Sequence, residues 1–112
     1  MPVYFVEMWV PKPGEERKCL EIAEKILRYV KEHKEEFRER RTHRMFHVFV
    51  GGKPWFIDVQ EYDDLSSMEK LDKRISRDKK YIELILEWKN CIDPRESRSL
   101  LLFDVLRELW VE

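Results

Sequence analysis

Four segments of this chain alternate in the manner of β-strands yet are apolar on both faces, while the helical segments between them can cover only one. Tyr4, Val6, Met8, Val10, Phe46, Val48, Val50, Trp55, Ile57, Val59, Leu101, Phe103 and Val105 form one set, expected beneath the helices. The other set is Val3, Phe5, Glu7, Trp9, His43, Met45, His47, Phe49, Phe56, Asp58, Gln60, Tyr62, Leu100, Leu102, Asp104 and Leu106. A sheet left bare over that much aromatic and aliphatic area is an interaction surface. Two copies packed face to face bury it, so the pattern predicts a homodimer.

The elements follow from periodicity and punctuation. Val3 to Val10 reads as a strand that Pro11-Lys12-Pro13-Gly14 stops. Glu15 to Arg40 reads as one long helix, with a stripe through Cys19, Ile22, Ala23, Ile26, Tyr29, Val30, His33 and Phe37 at steps of three and four. Strands over His43–Val50 and Trp55–Tyr62 flank a Gly51-Gly52-Lys53-Pro54 turn. Asp63 or Asp64 caps a second helix that breaks near Arg77-Asp78 and resumes until Asp93-Pro94. Ser99 to Leu106 is the last strand, and Arg107 to Glu112 a short tail.

This order, with right-handed crossovers, predicts a single α+β domain over residues 1–112. It is a ferredoxin-like βαββαβ fold with a four-stranded antiparallel sheet in the order 4-1-3-2. Both helices lie on one face, and the other face dimerises into an α+β barrel.

Composition narrows the function. The 22 Lys+Arg and 23 Asp+Glu nearly cancel, leaving a net charge of -1 and no global field to favour nucleic acid or acidic lipid. Gln60, Asn90 and Thr42 are the sole Gln, Asn and Thr; with 40% charged residues this is a thermophile's bias. No membrane span or signal peptide is read, so the expected location is the cytoplasm. Glycine-rich phosphate loops, serine elbows and paired-histidine motifs are absent from the sequence.

The element order, the two-faced sheet and the run Glu61-Tyr62-Asp63-Asp64-Leu65 leading to Met68-Glu69-Lys70-Leu71 resemble the dimeric α+β barrel superfamily. That group includes cofactor-independent antibiotic-biosynthesis monooxygenases, NIPSNAP-like proteins and muconolactone isomerases. The resemblance implies a fold rather than a reaction, since members do unrelated chemistry. Its haem-degrading branch carries an Asn on the first strand and a His on the second helix. Here that strand has Glu7 and Trp9, and the second helix has no His.

Glu7, Asp58, His47 and Asp104 each fall near mid-strand on one face, and adjacent strands about 4.8 Å apart would let them converge. Glu7, His47 and Asp58 are the candidate catalytic acid–base groups, because burial and mutual charge shift their protonation. Trp9, Phe56 and Tyr62 are candidate ligand-binding walls, with Gln60 as an orienting amide. The expected ligand is a small organic molecule, held between sheet and helices or between sheets, with cofactor-independent oxygenase or isomerase chemistry. The alternative is a non-catalytic ligand-binding or protein-interaction module whose polar row stabilises the dimer. A nucleic-acid binder ranks last.

No cofactor or metal site is expected. His43 and His47 stand roughly 13 Å apart along one strand, too far to share an ion. Cys19 and Cys91 are too few for zinc and are read as free thiols. His33 is read as a hydrogen-bonded boundary residue, and the Arg38–Arg44 run as a solvated helix end.

Overall fold

A computed structural model describes residues 2–50 and 52–111, with the backbone alone for Phe49, Val50 and Lys53. The facing of Phe49 and Val50, Gly51 of the turn and Glu112 of the tail lie outside the described residues. The chain runs β1 (Val3–Trp9), α1 (Glu16–Glu32), β2 (Arg40–Val50), β3 (Lys53–Tyr62), α2 (Leu65–Ile75), α3 (Lys79–Cys91) and β4 (Arg98–Phe103). Short 3-10 turns follow at Pro94–Glu96 and Arg107–Leu109. The strands form one antiparallel sheet in the order β2-β3-β1-β4, the ferredoxin-like arrangement that the element order implies.

The second helical region is divided where the sequence breaks it. Asp64 caps α2 by accepting from the Ser67 amide at 2.7 Å, and Asp78 caps α3 by accepting from the Tyr81 amide at 3.1 Å. The other oxygen of Asp78 takes the Tyr29 hydroxyl at 2.6 Å, so the cap of α3 also fixes α1 beside it.

The first helix is shorter than its stripe suggests. It ends at Glu32 rather than Arg40, with His33 as C-cap. Residues 33–39 form turns instead, closed by Glu36 N–H to His33 C=O and Phe37 N–H to Lys34 C=O. Phe37 stays buried because it anchors this turn against Tyr81, ring centroids 5.1 Å apart. His33 Nδ1 lies 2.8 Å from the Tyr29 carbonyl oxygen. Strand β2 therefore begins at Arg40, with an irregularity between Arg40 and Thr42. Strand β4 stops at Phe103 rather than Leu106, where the backbone turns left-handed at φ 51°.

The covered sheet face is the reverse of the expected one. Val3, Trp9, Phe56 and Tyr62 are buried with Cys19, Ile22, Ile26 and Trp88, and Phe5 and Met45 pack against them. Strand β4 alone keeps its expected facing, since Phe5 pairs with Leu101 and Val6 with Leu100, so the expected sets group it with the wrong faces of the other three strands. The open face thus carries Tyr4, Val6, Met8, Phe46, Val48, Trp55, Ile57, Val59, Leu100 and Leu102. Two effects select this side. The large rings interlock, with Trp9 stacked on Phe56 at 4.5 Å and edge-on to Trp88 at 5.1 Å. Five of the polar groups among them, Arg40, His43, Asp58, Gln60 and Tyr62, hydrogen-bond one another.

The two cysteines sit where the antiparallel α1 and α3 bring them. Cys19 Sγ donates to the Cys91 carbonyl at 2.9 Å, and Cys91 Sγ to the Trp88 carbonyl at 3.2 Å. Both are buried free thiols, and burial, then the adjoining Cys91 thiol, raises the Cys19 thiol well above its ordinary range. Thiol titration of protein purified without reductant should count two reactive groups per chain in denaturant and essentially none in the native state.

The turn after α1 is tied to α2 by a two-pronged pair. Arg74 donates from both terminal nitrogens to Glu39 at 2.6 Å, and also to the Glu36 carbonyl at 2.9 Å. The Arg74 hydrogen bonds hold the Glu39 carboxyl down at about 2, below its ordinary 4.5. A depressed carboxylate stabilises the fold fully above its unfolded value and loses that contribution as pH falls through the folded one. Thermal melts should therefore show wild type losing its advantage over Glu39→Gln between about pH 4.5 and pH 2, with a constant difference above pH 6.

Candidate functional site between the sheet and the helices

Glu7 and Asp58 are directly opposite across β1 and β3, on the covered face. Like charges so placed repel, and both also lose water to the helices above. Asp58 has hydrogen-bond partners. Its Oδ1 lies 2.6 Å from His43 Nε2, and its Oδ2 accepts from Gln60 Nε2 at 3.1 Å. Gln60 Oε1 accepts from the Tyr62 hydroxyl at 2.6 Å, and that oxygen accepts from Arg40 Nε at 3.0 Å. Arg40 Nη1 lies 3.3 Å from His43 Nδ1, closing a ring of five side chains.

The ring fixes the proton on the imidazole. A guanidinium nitrogen only donates, so His43 Nδ1 accepts and Nε2 carries the hydrogen given to Asp58. Burial pushes the Tyr62 phenol up to about 12, although Arg40 acts in the opposite sense, so it remains a donor at neutral pH.

Glu7 is not part of the ring, and no hydrogen bond from a described residue holds its carboxylate. Burial first, then the Asp58 charge, raises its pKa above the ordinary carboxylate value, while Lys89 and Arg40 pull it down. It faces two adjoining cavities. One of about 50 Å³ is bounded by Trp9, His43, Asp58, Gln60 and Trp88. The other, of about 240 Å³, is bounded by Phe5, Arg40, Tyr62, Met68, Ile75 and Ile85. Trp9, which lines the smaller cavity, has its Nε1 buried without a partner among the described residues.

The candidates from the sequence divide accordingly. Glu7, Asp58, Gln60, Tyr62, Trp9 and Phe56 are all brought to the covered face, with Phe56 forming the floor beneath Trp9. His47 is not brought to Asp58. Its ring stacks on Phe56 at 4.4 Å, half exposed, with Nε2 3.9 Å from Glu16. His43 takes the place proposed for it. Asp104 lies beyond the end of β4 and bonds Arg107, which also reaches the Tyr4 hydroxyl at 3.3 Å, so it is remote from Glu7.

Arg40 was missed for a geometric reason. Arg40 pairs with Tyr62 and Thr42 with Glu61, so one extra residue is inserted between them. This bulge puts Arg40 on the same face as His43, where plain alternation would place it on the open one. Among the described residues, no group of three His, Cys, Asp or Glu is arranged to hold a metal ion. No helix there is long and apolar enough to cross a membrane.

No family model and no curated protein matches the chain. Solved structures do. A NIPSNAP family protein from Agrobacterium tumefaciens superposes with a TM-score of 0.75 at 11% identity, covering 96% of each chain. An uncharacterised NIPSNAP domain protein from Burkholderia xenovorans gives 0.73 at 12% identity, over 94% of this chain and 96% of its own. An antibiotic biosynthesis monooxygenase gives 0.67 at 14% identity, over 92% and 98%. At such identities the likeness is one of fold: the chain has the ferredoxin-like α+β architecture of NIPSNAP and antibiotic-biosynthesis monooxygenase structures, as the resemblance in its sequence implies.

Proposed function

We propose that the protein binds a small organic molecule in the cleft between sheet and helices and exchanges a proton with it through Glu7. The observation that carries this reading is the contrast within one cluster. Five polar side chains close on themselves, while the sixth, Glu7, faces open volume with a raised pKa and no hydrogen-bond donor. A carboxyl shifted toward neutrality is suited both to take a proton from carbon or hydroxyl and to return it. Burial and the Asp58 charge keep Glu7 shifted; His43 and Gln60 hold Asp58, and Tyr62 holds Gln60. The anion formed on the substrate is what a cofactor-independent oxygenase or isomerase requires, and the fold likeness to an antibiotic biosynthesis monooxygenase supports that class.

The second reading is a binding module without chemistry, in which the ring serves only to stabilise the covered face. Closure of the ring on itself favours it. The two are separated by the titration of Glu7. Carbon-13 NMR of glutamate-labelled protein should show one carboxyl titrating clearly above 4.5 and moving down in Asp58→Asn, because removing the opposing charge removes one cause of the elevation. A Glu7 signal that titrates at its ordinary value would end the acid–base reading.

We further propose that the open sheet face packs against a second copy. Aliphatic and aromatic residues stand there on all four strands, and Leu100, Leu102 and Phe46 are each about half exposed. Such a surface is self-complementary under a two-fold axis. Beyond β4, Leu106, Leu109 and Trp110 extend the apolar area. Light scattering should give about twice the 13.9 kDa of one chain, and Leu102→Asp, which puts an unpaired charge in the contact, should give the single-chain mass. A wild-type mass of 13.9 kDa excludes this arrangement.

A further inference from the structure

We propose that the cleft is built for a ligand bearing a carboxylate, which the guanidinium of Arg40 binds. This deepens the cleft reading above and rests on it. Arg40 is buried at 8% exposure and borders the 240 Å³ cavity. Among the described residues no carboxylate comes within ion-pair distance of it. Its charge rests instead on the rings of Phe37 and Tyr62, at 5.3 and 5.9 Å. Two of its five N–H groups are spent on Tyr62 and His43, and the Tyr81 hydroxyl lies beside it. The terminal N–H groups left over belong to a planar guanidinium, a group suited to recognising a carboxylate.

A buried cation without an anion beside it is costly, and a ligand carboxylate would offset that cost. The nearby acids do not complete it. Glu7 and Asp72 are both raised by burial, and Arg40 only offsets that rise. Asp58 reaches Arg40 only through His43. Glu7, Gln60, Asp72 and Tyr81 share the polar side of the cavity with Arg40, and Phe5, Met68, Ile75, Ile82 and Ile85 make its apolar wall. It therefore suits a compact apolar body carrying one negative charge. A phosphate would bring a second charge for which the cavity offers no second cation.

The probes are benzoate and its neutral isostere benzamide, titrated into amide- and glutamate-labelled wild type and followed at Glu7 and Gln60. Benzoate should bind ~10- to 100-fold more tightly than benzamide, the usual worth of hydrogen bonds to a charged group. Arg40→Gln, which can still donate to Tyr62 or His43, should lose that preference, and Arg40→Lys should retain part of it. The amide spectrum of each variant reports whether the fold is kept. Equal binding of both probes, or benzoate preference unchanged in folded Arg40→Gln, overturns the carboxylate proposal and leaves the cleft reading standing. Should neither probe move Glu7 or Gln60, both the proposal and the cleft reading fall.

Discussion

Two carboxylates face each other across β1 and β3, and much of the interior is arranged around that opposition. Glu7 and Asp58 cannot both be ionised cheaply under a layer of helices. The protein resolves the conflict unequally. Asp58 receives two hydrogen bonds within a ring of partners, whereas Glu7 receives none and has its pKa raised by burial and by Asp58. Satisfying Asp58 also makes it possible to bury this face at all, since a cluster left open would have demanded water between sheet and helices. The helices cover the face that carries the ring, and the face left bare is apolar at its centre, with Arg44, Glu61 and Arg98 also on it.

The ring and the aromatic stack divide the covered face between them. Toward one end, His47, Phe56, Trp9 and Trp88 form a continuous succession of ring contacts from the surface to the centre. Toward the other, Arg40, Tyr62 and Gln60 form the polar half. Glu7 lies at the junction, which is why it borders both cavities. Dispersion holds one half and directed hydrogen bonds the other.

Much of this was legible from residue order. Alternation and turn residues gave the strands, their pairing and the break before Asp78. They also brought Glu7, Trp9, Phe56, Asp58, Gln60 and Tyr62 onto a single face. Which face the helices cover was not legible, because parity groups residues without saying which group is inside, and the wholly apolar group looked like the better core. The choice between His43 and His47 was hidden for a similar reason. The register puts Met45 opposite Asp58, so both histidines are diagonal to it. Tertiary contacts decide: Phe56 takes the ring of His47, and Arg40 comes up to His43. The length of α1 was misread because Phe37 keeps the helical spacing while serving a turn.

The bulge at the start of β2 has a consequence for how such a cleft can change over generations. Arg40 faces inward because the bulge absorbs Arg41, leaving Arg40 opposite Tyr62. Loss of the codon for Arg41 would restore plain alternation with Arg40 still opposite Tyr62, so the guanidinium would stay on the inner side of the sheet. Straightening the strand with both codons kept would instead bring Arg41 opposite Tyr62 and swing Arg40 to the other side. An insertion or deletion at a strand end is among the mildest changes a sheet undergoes, and here either outcome keeps an arginine facing inward. Descendants of one such chain can thus differ in length at this point while offering the same charge to whatever enters.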